Sequence, residues 1–238
     1  MKVLIIIPAY NEEESIEKVI NKLKKDTENI QHQIDYLVVN DCSKDNTKSI
    51  LQSNDMNFVS LPINLGIGGG VQTGYKYALY NNYDIAIQID GDGQHDTSYI
   101  SNVIQPIIEG QADIVIGSRF IDKNGFQSSL ARRMGIKILS RLIKICCGVN
   151  VQDVTSGYRA VNRKYIDVYA KEYPTDYPEP EAIVVASLMG AKILEIPTIM
   201  KERENGESSI SFWRSIYYMI KVSLAIIVCR VVNSRGDK

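Results

Sequence analysis

Long uncharged apolar runs are missing from this sequence. None approaches the ~18 residues that a bilayer-crossing helix needs, and the apolar stretch Ser211 to Val232 is broken by Lys221 and Arg230. A transmembrane helix is therefore not expected. Cysteine is scarce as well. Of the four, Cys146 and Cys147 are adjacent while Cys42 and Cys229 stand alone, a spacing that suits neither a zinc site nor a secreted disulfide framework. A reducing cytosol is the expected compartment. Charge of one sign is also lacking: 27 Lys and Arg face 28 Asp and Glu, so a net charge of −1 supplies no field for nucleic acid, and none is expected as a partner. The glycine-rich stretch Asn64 to Gly74 lacks both the Gly-Lys-Ser/Thr ending of a P-loop and the G-x-G-x-x-G register of a dinucleotide fingerprint. No leader is expected either, because the apolar run Val3 to Ile7 is too short for a signal peptide and ends in Pro8.

What is present is the pattern of an α/β domain in 238 residues. Val3 to Ile7 reads as a central strand covered on both faces. Pro8-Ala9-Tyr10-Asn11 turns the chain, and helical spacing begins at Ser15, with Glu12, Glu13 and Glu14 where a helix dipole favours acids. Tyr36 to Val39 is a second strand, followed by the polar loop Asn40 to Thr47; Phe58 to Leu61 is a weaker third. The glycines around Gly68 open a helix, either presenting backbone N–H groups to an anion or letting helix and sheet approach closely.

The stretch Asp84 to Asp96 carries the clearest chemical signal. Ile85, Ile87 and Ile89 form a short β-branched run, and Gly91 and Gly93 then release the backbone, which places Asp90 and Asp92 beyond a strand's carboxyl end. In an extended segment residues two apart face the same way, so both carboxylates can meet one ion or one diphosphate. Hard divalent cations are held by such carboxylates together with substrate phosphates. Open α/β sheets bind ligands at this edge.

Further along, a helix is expected over Ser98 to Glu109 and a strand over Asp113 to Ile116, ending in Gly117-Ser118-Arg119. Arg119 suits a phosphate oxygen or a salt bridge to Asp122. Leu130 to Cys147 reads as a helix carrying Arg132, Arg133, Lys137, Arg141 and Lys144, a solvated face or one lying against anionic headgroups. Gln152 to Arg159 is too rich in hydrogen-bonding groups for a linker. A helix over 181–189 and a strand over 192–199 lead to the polar segment Lys201 to Ser209, which reads as a lid. The tail over 211–238 is an amphipathic helix that docks on a membrane surface, on the domain itself, or on a second copy in a homo-oligomer.

In order, Pro8-Ala9-Tyr10-Asn11-Glu12, Asn40-Asp41-Cys42-Ser43, Leu65 to Gly69, Asp90 to His95, Gly117-Ser118-Arg119, Asp153 to Arg159 and Arg203 to Ser208 resemble the motifs of family 2 glycosyltransferases, in particular the dolichyl- and polyprenyl-phosphate hexose synthases. The resemblance spans residues 2–210. It implies a GT-A fold, a single Rossmann-like and mostly parallel sheet flanked by helices, with the C-terminal amphipathic helix beyond it. It also implies a nucleotide-sugar donor (UDP- or GDP-linked), Mg²⁺ or Mn²⁺, and inversion at the anomeric carbon. Carried over by motif, Pro8, Ala9, Tyr10, Glu12 and Asp41 line the nucleoside pocket, with Gly68 close to the donor; Asp90, Asp92 and Gln94 surround the metal; Arg119 and Arg203 contact phosphates. The second motif begins Asn40-Asp41 where the family usually has two acids, and Ser209 stands where a lysine often follows. The implied acceptor is a polyprenyl phosphate at the inner face of the plasma membrane, which attacks unaided. A saccharide hydroxyl would instead require a base such as Glu179 or Glu181. A non-catalytic nucleotide-sugar-binding subunit is the reading outside the enzyme class.

Overall fold

The computed structural model describes residues 1–127, 129–201, 219–228, 230 and 231. Arg203, most of the expected lid and the aromatic start of the tail around Trp213 lie outside the described residues.

A seven-stranded sheet organises the chain. Its strands are β1 (Lys2–Ala9), β2 (Gln33–Asn40), β3 (Phe58–Ser60), β4 (Ile85–Gln88), β5 (Ile114–Ser118), β6 (Arg159–Asn162) and β7 (Ile193–Pro197), arranged in the order β3-β2-β1-β4-β6-β5-β7. The helices are α1 (Ile16–Thr27), α2 (Thr47–Ser53), α3 (Gly66–Tyr80), α4 (Ile100–Ile108), α5 (Leu130–Cys147), α6 (Arg163–Lys171) and α7 (Pro178–Leu188). Residues 219–228 are also helical. All pairings are parallel except those of β6, which runs antiparallel to both β4 and β5.

Alternation along β1 explains why the sheet is covered twice. Leu4 and Ile6 enter one apolar cluster with α3, α5, α6 and α7, while Val3, Ile5 and Ile7 enter the other with α1 and α4. All five are fully buried, as expected from an apolar run without polar interruption. Helix α5 is bounded as its sequence dictates: the Ser129 side chain accepts from the Arg132 N–H, and Gly148 closes the helix at φ 75°. The 219–228 helix buries Val222 and Ile226 in the first cluster.

One element that shapes the site, strand β6, had no counterpart in the sequence reading. Strand β6 has four residues and begins with a charged one, Arg159, so neither its length nor its hydrophobicity marked it. Its direction nevertheless decides the shape of the site. Gln88, the last residue of β4, pairs with Arg159, the first of β6. The loop entering β6 therefore arrives at the same edge as the loops leaving the parallel strands.

Candidate active site

The first wall is made by the turns after β1 and β2. Asn11 and Cys42 both adopt left-handed backbone, with φ 56° and 59°, so each strand reverses sharply. Side chains then tie the two turns together: Asn11 N–H donates to Ser43 Oγ at 3.0 Å, Lys44 N–H to Asn11 Oδ1 at 2.8 Å, and Glu12 N–H to Thr47 Oγ1 at 2.8 Å. Two of the acids before α1 have partners of their own. Glu13 accepts from the Asn46 N–H at 2.8 Å and Glu12 from Ser15 Oγ at 2.8 Å, because α1 itself starts only at Ile16. Asp41 is buried, donates its N–H to the Ala9 carbonyl at 2.9 Å and accepts from the Leu65 N–H at 2.7 Å, so it joins β1, β2 and the start of α3. Tyr10 stays exposed at the rim.

Gly68 lies against the loop before α7 rather than against the sheet. Its N–H donates to the Thr175 carbonyl at 3.2 Å, and a Cβ there would lie 2.2 Å from the Pro174 oxygen. Close backbone approach, rather than an open anion cradle, is what requires glycine at this position.

The acidic turn packs against the first wall. A Cβ on Gly91 would meet the Pro8 carbonyl at 3.2 Å and Ala9 and Glu12 at 3.6 Å, and Ser15 Oγ donates to the Gly91 carbonyl at 2.9 Å. Residues 91 and 92 form a turn, so the extended-chain argument for parallel carboxylates does not hold. A buried imidazole sets the geometry instead. His95 Nδ1 accepts the Asp90 N–H at 2.9 Å, which leaves the proton on Nε2, 3.6 Å from Asp90 Oδ2. Burial lowers the His95 pKa to about 4, with Asp92 opposing, so the ring is neutral at physiological pH. It stacks on Tyr158 at 5.1 Å. Asp92 Oδ1 accepts the Gln94 N–H at 3.0 Å, and Gln94 Nε2 donates to the Lys201 carbonyl at 3.3 Å, so Oε1 is the side-chain atom of Gln94 that could meet a cation.

The second wall comes from β5, β6 and α7. Arg119 is buried and turns to Asp153 rather than Asp122: Nε donates to Oδ2 at 2.7 Å, Nη2 to Oδ1 at 2.6 Å, and the Arg119 N–H to Oδ2 at 3.0 Å. Nη2 also reaches Thr155 Oγ1 at 3.0 Å. One edge of the guanidinium is thus committed within the chain. Against burial, Asp153 above all holds the Arg119 pKa above its ordinary value, and the charges of Asp90 and Glu179 across the site add to it. Arg159, buried at the start of β6, donates to the carbonyls of Ser156 and Glu179.

Gly157 escaped sequence reasoning, and the choice between Glu179 and Glu181 stayed open in it. A Cβ on Gly157 would lie 3.1 and 3.4 Å from the two Asp90 carboxylate oxygens and 3.2 Å from Gln88 Nε2, so glycine keeps the face of Asp90 open. Glu179 is the α7 acid that senses Asp90, and burial raises its pKa against the pull of Arg159. Glu181 instead senses Lys221 and Asp176. Two positions along an α-helix is more than half a turn, so the two glutamates diverge. Only the i/i+2 spacing hinted at this, and it could not say which acid faced inward.

Among the described residues no group of three His, Cys, Asp or Glu side chains is arranged to hold an ion by itself. That fits a cation such as Mg²⁺, which takes one or two carboxylates and fills its other positions with water and substrate phosphate. Asp90 and Asp92 would be the carboxylates to hold such an ion, and Gly157 faces Asp90 without a side chain.

A model for glycosyl transferase family 2 matches residues 4–169. This chain belongs to that family. The family 2 chain is 33% identical over 216 residues to the UDP-N-acetylglucosamine–dolichyl-phosphate N-acetylglucosaminyltransferase of Methanococcus voltae, covering 82% of this chain and 84% of that one. It is 30% identical over 220 residues to the undecaprenyl-phosphate mannosyltransferase of Micrococcus luteus, covering 89% and 88%. Among solved structures it resembles glucosyl-3-phosphoglycerate synthase from Mycobacterium tuberculosis in complex with Mn²⁺ and UDP-glucose, with TM-score 0.67, 18% identity, and coverage of 96% and 78%. This family 2 enzyme therefore has the GT-A fold, as its motifs led us to expect.

Proposed function

We propose that this chain transfers a hexose from a nucleotide sugar to a polyprenyl phosphate, with inversion at the anomeric carbon. The observation that carries the reading is the placement of Asp90 and Asp92 at the carboxyl end of β4, where Gly157 approaches the Asp90 carboxylate without a side chain. The lipid-phosphate activities named for the relatives support the acceptor class. A bound Mg²⁺ or Mn²⁺ would neutralise diphosphate charge. The turns after β1 and β2, with Pro8, Ala9, Tyr10, Glu12 and Asp41, hold the nucleoside. Arg119 and Arg203 supply positive charge as the bond from anomeric carbon to diphosphate breaks and its electron pair leaves with the nucleoside diphosphate. An acceptor phosphate oxygen forms the new bond. A phosphate monoester, with a second pKa near ~6, is mostly dianionic at neutral pH and needs no base.

Glu179 supports a second reading. A half-buried carboxyl with a raised pKa beside Asp90 suits a general base for a saccharide hydroxyl. The test is transfer of labelled sugar from a panel of UDP- and GDP-sugars, with Mg²⁺ or Mn²⁺, into lipid extracted from membranes containing polyprenyl phosphate. Acid-labile lipid label that persists in Glu179→Gln is the expected result. Label found only in saccharide, and lost in that variant, establishes the second reading instead.

A further inference from the structure

Beneath Asp90 lies a side chain whose hydrogen bonds are unmade. Gln88 ends β4 and pairs in register with Ile6, so it faces the layer that contains α3, α6 and α7. It is fully buried, and neither its Nε2 nor its Oε1 has a hydrogen-bond partner. An apolar side chain of the same shape would fill this place without leaving a polar group dry, whereas a buried amide without partners loses its hydration for no return. Of the six buried side-chain atoms without a partner among the described residues, four belong to Gln88, Tyr75 and Tyr173. They are gathered in one layer rather than scattered. Tyr75 and Tyr173 both feel the charges of Arg159 and Glu179. Burial raises the Glu179 pKa, and after Arg159 the Gln88 amide works against that rise, so the amide reaches Glu179 without a well-aligned hydrogen bond to it.

The same amide lies next to Asp90. Gln88 Nε2 and Asp90 Oδ1 are 3.2 and 3.1 Å from one point, the place that a Cβ on Gly157 would take. The other oxygen, Oδ2, is 3.6 Å from His95 Nε2. A carboxylate only accepts hydrogen bonds, and of the two ends of an amide only the NH₂ donates, with two protons to give. We propose that Gln88 is a positioning residue for the cation site: its Nε2 donates to Asp90 Oδ1 while His95 holds Oδ2, so that the remaining lone pairs of Asp90 meet the ion in one fixed orientation. The second proton of Nε2 serves Glu179. Hydrogen bonds of this kind orient a metal-binding carboxylate from behind. Because Gln88 is buried beneath the loops, it acts through Asp90 and not on the substrate. The inference rests on the reading of Asp90 as a cation ligand, and it accounts for an amide that the fold alone does not need.

The experiment compares the full chain with Gln88→Met, which keeps the length of the side chain and removes its donors. Mn²⁺ is titrated in the presence of UDP, and separately of GDP, with the free ion read by electron paramagnetic resonance. Its affinity is expected to fall about 10- to 100-fold in the variant. Nucleotide binding without cation, read by calorimetry, should be unchanged. The urea midpoint should equal or exceed that of the parent, because no unpaired amide is left in the core. In an Asp90→Asn background, Gln88→Met should move Mn²⁺ affinity less than about twofold, since the group it acts through is gone. A lowered midpoint marks a structural amide and overturns the proposal, as does failure of both Gln88→Met and Gln88→Leu to fold. Unchanged Mn²⁺ affinity overturns it too. So does an equal loss in cation-free nucleotide binding or in the Asp90→Asn background. Asp90→Asn without effect on Mn²⁺ affinity is a different failure: the cation reading of Asp90 then falls, and the positioning role with it.

Discussion

The two halves of the sheet build their share of the site in different ways. On the β3-β2-β1-β4 side each functional loop follows its own parallel strand, and the loops are joined by short polar side chains such as Ser43, Asp45 and Thr47. On the β6-β5-β7 side the site is reached by a reversed strand, and a buried ion pair, Arg119 with Asp153, holds β5 to the approach of β6. Their carboxyl groups differ accordingly. Asp26, Asp45 and Asp96 lie on the first side and are hydrogen-bonded enough to sit below their ordinary pKa despite burial. Glu179, Glu181 and Glu195 lie on the second, where burial outweighs their partners and raises theirs. These three carboxyls of the parallel half keep enough partners to stay ionised, whereas those three of the other half are held by burial more than by their partners.

The sharpest way to break this contrast is Asp153→Ala, which leaves Arg119 buried without its partner. It should cost about 3–5 kcal/mol in urea unfolding, whereas Ser43→Ala in the first half, which removes one neutral hydrogen bond, should cost only ~1 kcal/mol. Comparable losses would erase the distinction. Asp92→Ala should leave stability nearly intact and lower sugar transfer by roughly 10²–10³, by analogy with removing one electrostatic stabiliser of a transition state; single-turnover assays with saturating donor measure it. Gly157→Ala joins the halves, since its methyl group intrudes on Asp90 from the β6 side. Mn²⁺ affinity, read by electron paramagnetic resonance in the presence of nucleoside diphosphate, should fall about 10-fold or more.

The smallest effects are in pH dependence, and their signs are opposite. The lowered pKa values of Asp26 and Asp96 stabilise the fold above the ordinary carboxylate range and lose that contribution as pH falls through it. Lys22→Met, which removes their shared partner, should flatten the acid limb of the urea midpoint below about pH 4. The raised pKa of Glu179 works the other way: its contribution is full below the unfolded value and is lost as pH rises through the folded one. Glu179→Gln should therefore be more favourable relative to the parent at pH 7 than at pH 4. The same slope in both variants would mean the halves are electrostatically alike.

This contrast also explains what could be read from residues alone. The first half was legible because Val3 to Ile7 is a continuous apolar run and Ile85, Ile87 and Ile89 form a short β-branched one, with the glycines at 91 and 93 marking where the second ends. The chain's own order placed Asp41 and Asp90 at one edge. In the second half, four residues of strand beginning with an arginine carry no periodic signal, so the direction of β6 was invisible. With it went the partnership of Arg119 with Asp153, 34 residues away, while Asp122 stood three positions off. The inward acid of α7 was hidden for a related reason: which of Glu179 and Glu181 faces Asp90 depends on how α7 is rotated by its packing, not on its composition.

The reversed strand also imposes an order on synthesis. Strands β1 to β4 can pair as soon as residue 88 has emerged, but the open edge of β4 waits for β6, whose last residue is 162. At ~5–20 residues per second that interval of 74 residues lasts about 4–15 s. Throughout it the nascent chain offers an unpaired edge of Ile85, Ala86 and Ile87, the kind of edge that templates pairing with another chain. Ribosome pausing between these two points would lengthen that exposure and lower the yield of folded protein, whereas pausing after residue 162 would not.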